Sequence, residues 1–316
     1  MKLIQDIDKV PNEPFHKQHY FCDYVEFLAL INNQDIISKS DVFDRFREAK
    51  DIDKDIDKDI DSQEKDRWDN RIGEWFDHIA SRNEAFNNFY PFIVESNNIQ
   101  LKDPLTEHHE LYIFLLLSAS QKYIKSNILP KDFEKMSLIV LQNYLPESAK
   151  SYIFGTSSDR YNGTLEKKIE KLAEDLKYSL SSASFQKNNT GDGGLDLVAW
   201  LPFSKDINQN NMQIFLAQCA TGRDWGRKQH ETKKIPEKYI NFKTKVNHVF
   251  FMPYDCRNVE RDFSEESDIS NETLFFDRVR ILYLLENKTK SIKSIMNFAS
   301  FDSIVKGAIL YEEKIV

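Results

Sequence analysis

The chain has 316 residues, enough for one large or two ordinary domains, and its 41% hydrophobic content is ample for a core. A formal net charge of -8 is unlike that of most nucleic-acid binders, so any such function depends on a local cationic stretch. The three cysteines lie far apart without C-x-x-C spacing, and they predict neither a disulfide framework nor a zinc site.

The sequence gives no sign of export or membrane insertion. Residues 1–14 are polar and acidic where a leader would carry a charged and then an apolar region. The longest apolar run, residues 111–119, is about half as long as a membrane span requires. We therefore expect a cytoplasmic protein that does not enter a membrane.

Residues 1–149 carry helical patterns, and we predict a helical N-terminal domain. The stretch 15–31 reads as a helix, and the S-x-x-D spacing of Ser38 and Asp41 is a weak capping-box signal for a second helix over 41–50. A helix, a short connection and a capped helix suit a winged-helix or other small DNA-binding module, but also most helical domains. This domain is predicted to bind DNA or a partner.

The low-complexity run 51–61, DIDKDIDKDID, follows. It predicts a solvated spacer, helical or disordered, because its aspartates lack the glycine that a calcium loop needs at its sixth position. Helices are predicted over 67–82, 107–126 and 129–145, with an aromatic segment at 86–94.

The glycine-rich sequence GDGGLDLVAW at 191–200 is the most informative part of the chain. Its glycines suit a tight turn that enters an apolar strand, and a second strand is predicted over 213–219. Asp196 would lie at the start of a buried strand, where a carboxylate must be paired, hydrogen-bonded or bound to a metal. Mg²⁺ fits one or two carboxylates with water and phosphate oxygens, and the Gln218 side chain or the Cys219 backbone could add an oxygen ligand.

These residues resemble the Mrr-type branch of the PD-(D/E)XK restriction-endonuclease superfamily. Its core reads roughly G-D-G-G-h-D, with h an apolar residue, followed by a strand that ends in Q-C-K. The resemblance covers roughly residues 150–255. It implies that Asp196 binds Mg²⁺ or Mn²⁺ and that Gln218 is the motif glutamine. It also implies that the preceding helical stretch, 164–180, offers Glu166 or Glu170 as a further acid.

The motif departs from the family at Ala220, which occupies the place of the usual lysine. The cation that would position the attacking water and offset phosphate charge is therefore missing from that place. Arg223 or Lys228 could supply it from a different backbone position. A degenerate domain that does not cleave DNA is the alternative.

A cationic stretch follows the second predicted strand, where phosphate neutralisation would be needed. It comprises Arg223, Arg227, Lys228, Lys233, Lys234, Lys238, Lys243 and Lys245. We predict that Arg227, Lys233, Lys234 and Lys238 contact DNA. A solvated amphipathic helix would give the same pattern.

The rest of the chain completes an α/β pattern: a strand at 247–253, a polar loop at 255–271, an amphipathic helix at 274–285 and a helical end at 291–316. We predict a nuclease domain over 150–316, with a restriction-endonuclease-like mixed sheet flanked by helices.

The predicted reaction is hydrolysis of DNA phosphodiester bonds by metal-activated water. By resemblance, such domains often serve restriction or anti-phage defence beside a second subunit, an ATPase or a sensor, and the chain itself could form a homo-oligomer. Two alternatives stay open. One is a catalytically degenerate DNA-binding or assembly subunit. The other is a different α/β enzyme whose glycine turn cradles a phosphate, although no P-loop lysine or serine follows.

Overall fold

The computed structural model describes residues 3–11, 17–32, 35–49, 58–182, 185, 191–203, 210–264 and 269–311. Most of the low-complexity run predicted as a spacer lies outside these ranges, and its last residues begin helix α3.

The described elements are numbered in chain order. The helices are α1 Gln18–Ile31, α2 Lys39–Ala49, α3 Lys58–Phe86, α4 Glu107–Ala119, α5 Ile128–Tyr144, α6 Leu165–Leu176, α7 Trp225–Lys228, α8 Arg278–Tyr283, α9 Thr289–Met296 and α10 Lys306–Ile309. The strands are β1 Ile37–Ser38, β2 Phe92–Glu95, β3 Asn98–Leu101, β4 Lys150–Ile153, β5 Ser179–Leu180, β6 Leu197–Trp200, β7 Ile214–Cys219, β8 Ile240–Asn241, β9 Asn247–Phe251 and β10 Thr273–Phe276. Helices and a mixed sheet together make this an α/β protein, as predicted.

The chain divides into two compact units that do not follow the predicted boundary at residue 150. Unit 1 comprises Met1–Leu129, Tyr254–Ser264 and Ile292–Val316, and unit 2 comprises Pro130–Pro253 and Glu265–Ser291. Most of α5 belongs to unit 2, where the Asn143 side chain donates to the Leu284 carbonyl at 3.2 Å. The C-terminal residues return to unit 1, where Phe301 stacks on Phe114 with 5.3 Å between ring centroids.

Unit 1 is mainly helical, but it also contains an antiparallel sheet, ordered β1-β3-β2, that the helical patterns did not predict. The predicted capping box is present at the start of α2: Ser38 N–H donates to the Asp41 carboxylate at 2.7 Å, and Asp41 N–H donates to Ser38 Oγ at 3.2 Å. The order of α1, β1, α2, α3 and the β2–β3 hairpin is compatible with a winged-helix module. DNA or partner binding by this unit stays a prediction.

The apolar helix α4 lies in the core of unit 1, and its residues from Leu111 to Leu117 are fully buried. It ends at Ala119, earlier than the predicted residue 126, because the chain turns at Ser120. Within the described ranges, no helix is both long and apolar enough to cross a membrane.

A charged cluster is buried at the centre of unit 1. The Arg82 guanidinium lies 2.9 Å from Asp23, 3.0 Å from Glu26 and 3.0 Å from Asp255. Burial alone would lower the pKa of Arg82, but the charges of Glu26 and Asp23 outweigh it and raise that pKa well above its usual value. Burial would likewise raise the pKa of Asp255, and Arg82 and Arg261 hold it below its usual range instead. The charged forms of Arg82 and Asp255 are therefore favoured, and Arg82 is the central charge of the cluster.

Unit 2 is built on a five-stranded mixed sheet ordered β10-β9-β7-β6-β4. Strand β6 pairs antiparallel with β4 and β7, and β9 pairs parallel with β7 and β10. The apolar strand predicted after the glycine turn and the strands predicted over 213–219 and 247–253 are confirmed as β6, β7 and β9, with small differences at their ends. The apolar residues of β6 and β7 pack with the buried face of α6 in one core, as expected for a sheet covered by helices.

Two helix predictions in unit 2 need correction. The stretch 274–285 begins as strand β10, because Phe276 stacks on Phe251 of β9 at 4.7 Å, and tertiary pairing overrides the helical pattern. Only α8 is helical there. The stretch 164–180 is helical as far as Leu176, where Lys177 adopts a left-handed conformation with φ of 58°. Strand β5 follows and pairs with β8.

Candidate functional site

The glycine turn has the tight geometry that its sequence predicts. Leu195 N–H donates to the Asp192 carbonyl at 3.3 Å, and both residues between them have positive φ, 68° at Gly193 and 83° at Gly194. A Cβ on Gly194 would lie 2.6 Å from the Cβ of Glu231, so only glycine fits there. The turn directs the chain into β6 with Asp196 immediately before the strand.

Asp196 is 4% exposed and is fixed by its neighbours on both sides. Its N–H donates to the Ala217 carbonyl at 2.9 Å, and its carbonyl accepts from the N–H groups of Phe154 at 2.6 Å and Gly155 at 3.0 Å. The side chain accepts through Oδ2 from the Cys219 N–H at 2.7 Å. The backbone and one carboxylate oxygen of Asp196 are thus held by the sheet.

A second carboxylate, that of Glu134 on α5, lies beside Asp196. A Cβ built on Gly155 would be 3.2 Å from Glu134 Oε2 and 3.5 Å from Asp196 Oδ1, so both oxygens border the same small space. Ser157 Oγ donates to Glu134 Oε2 at 2.9 Å and holds that side chain in place. Two acids from distant parts of the chain therefore meet at Gly155.

Burial raises the pKa of both acids, and the charge of Glu134 raises the pKa of Asp196 further. Burial raises the pKa of Asp196 well above its usual value, and Glu134 and Asp192 add to this, while the Cys219 N–H and the charge of Lys228 oppose it. Burial also raises the pKa of Glu134, against the hydrogen bond from Ser157. Two desolvated carboxylates side by side favour a proton or a cation between them.

Gln218 lies in β7, one residue beyond the Leu197–Ala217 pair of the β6–β7 ladder and therefore opposite Asp196. Facing residues in an antiparallel ladder project from the same side of the sheet. Gln218 is 7% exposed, and its Nε2 donates to the Cys219 carbonyl at a long 3.5 Å. Its Oε1 is buried without a hydrogen-bond partner among the described residues. A buried acceptor of this kind is available to a ligand.

Other predicted ligands have different surroundings. Glu166 and Glu170 are exposed on α6, so the acid that adjoins Asp196 is Glu134 and not one from the helix predicted to supply it. Cys219 holds Asp196 through its N–H group. Its backbone carbonyl, the oxygen predicted as a possible ligand, accepts from Gln218 Nε2 at 3.5 Å. Burial raises the pKa of its thiol well above the usual value.

Lys228 is the predicted replacement cation whose charge reaches Asp196. Ala220 is 1% exposed and donates its N–H to the Phe251 carbonyl at 2.9 Å, inside the sheet region. Lys228 is half-buried at the end of α7, which the buried Trp225 anchors near Phe275 at 5.9 Å between ring centroids. Its charge is among the causes that lower the pKa of Asp196. Arg223 is exposed before α7.

The four predicted DNA-contacting cations fall into two groups. Lys233 forms an ion pair with Glu272, and Lys234 lies 3.6 Å from Glu231. Arg227 and Lys238 are exposed. Neighbouring acids therefore offset part of the positive charge of the cationic stretch, and less of that charge is available to attract DNA than the sequence suggests.

Glu134, Gly155 and Ser157 were not predicted from the sequence. Glu134 lies one helical turn before the buried Ser137, which is in turn one turn before the buried Leu141. An acid on the buried stripe of a helix is the signal that could have identified it.

In the described part of the chain, no group of three or more His, Cys, Asp and Glu side chains is placed to hold a metal ion. The site above has two carboxylates and one amide, which is the smaller set that Mg²⁺ uses together with water. Comparison with protein-family models gives no match, and comparison with curated proteins and with solved structures gives no significant match.

Proposed function

We propose that the chain is a metal-dependent endodeoxyribonuclease with a PD-(D/E)XK-like site in unit 2. The observation that carries the proposal is the pair of carboxylates, buried Asp196 and half-buried Glu134, that border one space at Gly155. The unpartnered Oε1 of Gln218 supports it, because it adds a neutral oxygen donor on the side of the sheet that Asp196 occupies. The order α6, β6, β7, α7 and β9, with the short strands β5 and β8 between them, also supports it, because a leading helix followed by strand, strand, helix and strand is expected of a restriction-endonuclease core.

These residues fit Mg²⁺ or Mn²⁺, which would be held by Asp196 Oδ1, Glu134 and Gln218 Oε1. A bound ion of this kind lowers the pKa of water and stabilises charge on a phosphate. Asp196 is kept in position by the Cys219 N–H, and Ser157 orients Glu134. Lys228 brings a positive charge toward the scissile phosphate, in place of the lysine that Ala220 replaces.

Plasmid nicking tests this proposal. We expect nicking with Mg²⁺ or Mn²⁺, none with EDTA, and a loss of at least about a hundredfold in Glu134→Gln, because the neutral amide cannot replace a carboxylate ligand. Glu147→Gln is the matched control, since Glu147 is an exposed acid just beyond α5. Nicking that persists in EDTA would contradict the proposal.

Alanine substitutions at Lys228 and at Arg223 should change different kinetic parameters. Lys228→Ala should lower turnover at saturating DNA by at least about tenfold, because a charge at the reacting group acts on the transition state. Arg223→Ala and Lys234→Ala should weaken DNA affinity and its salt dependence without changing the saturated rate. Equal, modest affinity losses in all three variants would show that no cation has replaced the missing lysine.

The second candidate is a catalytically degenerate DNA-binding or assembly subunit. Ala220 in the lysine position and the ion pairs of Lys233 and Lys234 favour it. Under this alternative the purified protein binds DNA or a partner, and neither Mg²⁺ nor Mn²⁺ supports nicking. A role in restriction or anti-phage defence, a second ATPase or sensor subunit and homo-oligomers belong to this proposal through the resemblance alone.

A further inference from the structure

The residue between the two carboxylates is Gly155, and we propose that it determines which divalent cations the site accepts. The proposal rests on the metal-dependent function above and assigns cation selectivity to one position. Gly155 lies just beyond β4, and a Cβ on it would be 3.2 Å from Glu134 Oε2 and 3.5 Å from Asp196 Oδ1. A side chain there would occupy the space that both carboxylates border.

Backbone conformation does not explain the glycine. Positive φ among the described glycines occurs at Gly163, Gly193 and Gly194, so the backbone of Gly155 is open to an L side chain. Alanine at this position would therefore be tolerated by the backbone, and its methyl group would contact Glu134 Oε2 tightly and Asp196 Oδ1 at an ordinary distance. The missing side chain leaves room beside the carboxylates.

The loop around Gly155 cannot move away easily from that space. Gly155 N–H donates to the Asp196 carbonyl at 3.0 Å, and the Gly155 carbonyl accepts from the Ser158 N–H at 3.2 Å. The Ser157 hydroxyl is hydrogen-bonded to the Glu134 carboxylate. Because the loop is held to both acids, a methyl group at 155 would intrude between them.

The size of the space beside the two carboxylates should distinguish Mg²⁺ from Ca²⁺. Mg²⁺ takes six ligands at about 2.0–2.1 Å, whereas Ca²⁺ takes six to eight at about 2.3–2.6 Å. A methyl group beside the carboxylates would therefore hinder Ca²⁺ more than Mg²⁺. Glycine gives a site wide enough for both ions, and alanine should narrow it toward the smaller one.

Titration calorimetry of Mg²⁺ and Ca²⁺ into the full chain, without DNA, tests the assignment. In Gly155→Ala we expect Mg²⁺ affinity to fall by about tenfold and Ca²⁺ affinity to fall further, within the range typical of altered metal surroundings. Gly226→Ala is the matched control, because a Cβ at Gly226 meets no atom within 4 Å. Thermal unfolding of both variants verifies that the fold is kept.

The outcomes separate this inference from the proposed function. Wild-type affinity in Gly155→Ala, or equal losses for both ions, would overturn the role of Gly155 and leave the metal site in place. No binding of either ion to the wild-type protein would overturn the metal site and the role of Gly155 together.

Discussion

Replacing Asp196 with asparagine should abolish DNA nicking and at the same time stabilise the metal-free protein. The amide keeps the shape of the side chain and its hydrogen bond with the Cys219 N–H, but it removes a carboxylate ligand and the repulsion from Glu134. We expect nicking to fall by at least about a hundredfold. The unfolding midpoint should rise by a few degrees, because 1 kcal/mol corresponds to roughly 2–4 °C in a domain of this size.

The stability gain should depend on pH. An acid whose pKa is raised on folding contributes stability below its unfolded pKa, near 3.8, and loses it as the pH rises through the folded pKa. Wild-type Asp196 therefore destabilises the metal-free protein at neutral pH and not in acid. Thermal unfolding from pH 4 to pH 8 should show the advantage of Asp196→Asn growing with pH.

Magnesium supplies the control for this variant. Mg²⁺ should raise the unfolding midpoint of the wild-type protein by binding the folded state, and it should leave Asp196→Asn unchanged. Glu174→Gln, at an exposed acid on α6, should behave as wild type in every assay. If Asp196→Asn nicked DNA at the wild-type rate, the nuclease assignment at this motif would be removed.

Replacing Arg82 with methionine should cost about 3–5 kcal/mol of unfolding free energy, the range measured when one partner of a buried ion pair is removed. Asp23, Glu26 and Asp255 would be left buried with their central countercharge gone. Tyr90 and Tyr112 each donate to Glu26 at 2.9 Å, but neutral donors cannot replace a full charge. Urea unfolding measures the loss.

The matched control is Lys39→Ala, which removes an exposed pair with Asp69 in the same unit. Such surface pairs contribute about 0–1 kcal/mol. If Arg82→Met and Lys39→Ala cost the same, the buried cluster does not depend on Arg82. A loss of unfolding free energy in Arg82→Met alone would show that this arginine offsets the cost of burying the three acids.

The part of the candidate site made by the glycine turn, Asp196 and Gln218 could be predicted, because interactions between residues close in sequence determine it. A glycine turn, an acid and an apolar strand are adjacent in the sequence, and the strand pairing that sets Gln218 opposite Asp196 needs only the next strand. The same reasoning failed for 274–285, since the aromatic side chains of β10 pack against β9, a partner that a helical pattern does not reveal. Local patterns describe an element well only where its partner is near in sequence.

The other half of the site depends on tertiary packing. Glu134 reaches Asp196 because α5 packs in unit 2 and the loop after β4 ties Ser157 to it. The family resemblance implied Glu166 or Glu170, on the helix just before the motif, yet both are exposed. Proximity along the chain was a poor guide to which acid would share a space with Asp196.

The interleaving of the two units limits how this protein can be divided or recombined. A fragment of residues 150–316 would lack Glu134, and it would carry Asp255 without Arg82. A fragment that ends at residue 149 would leave Asp23 and Glu26 without the segment that completes their cluster. Neither unit is a single continuous segment of the chain. Gene fusion or domain exchange at one junction should therefore yield aggregation-prone products and not a folded unit.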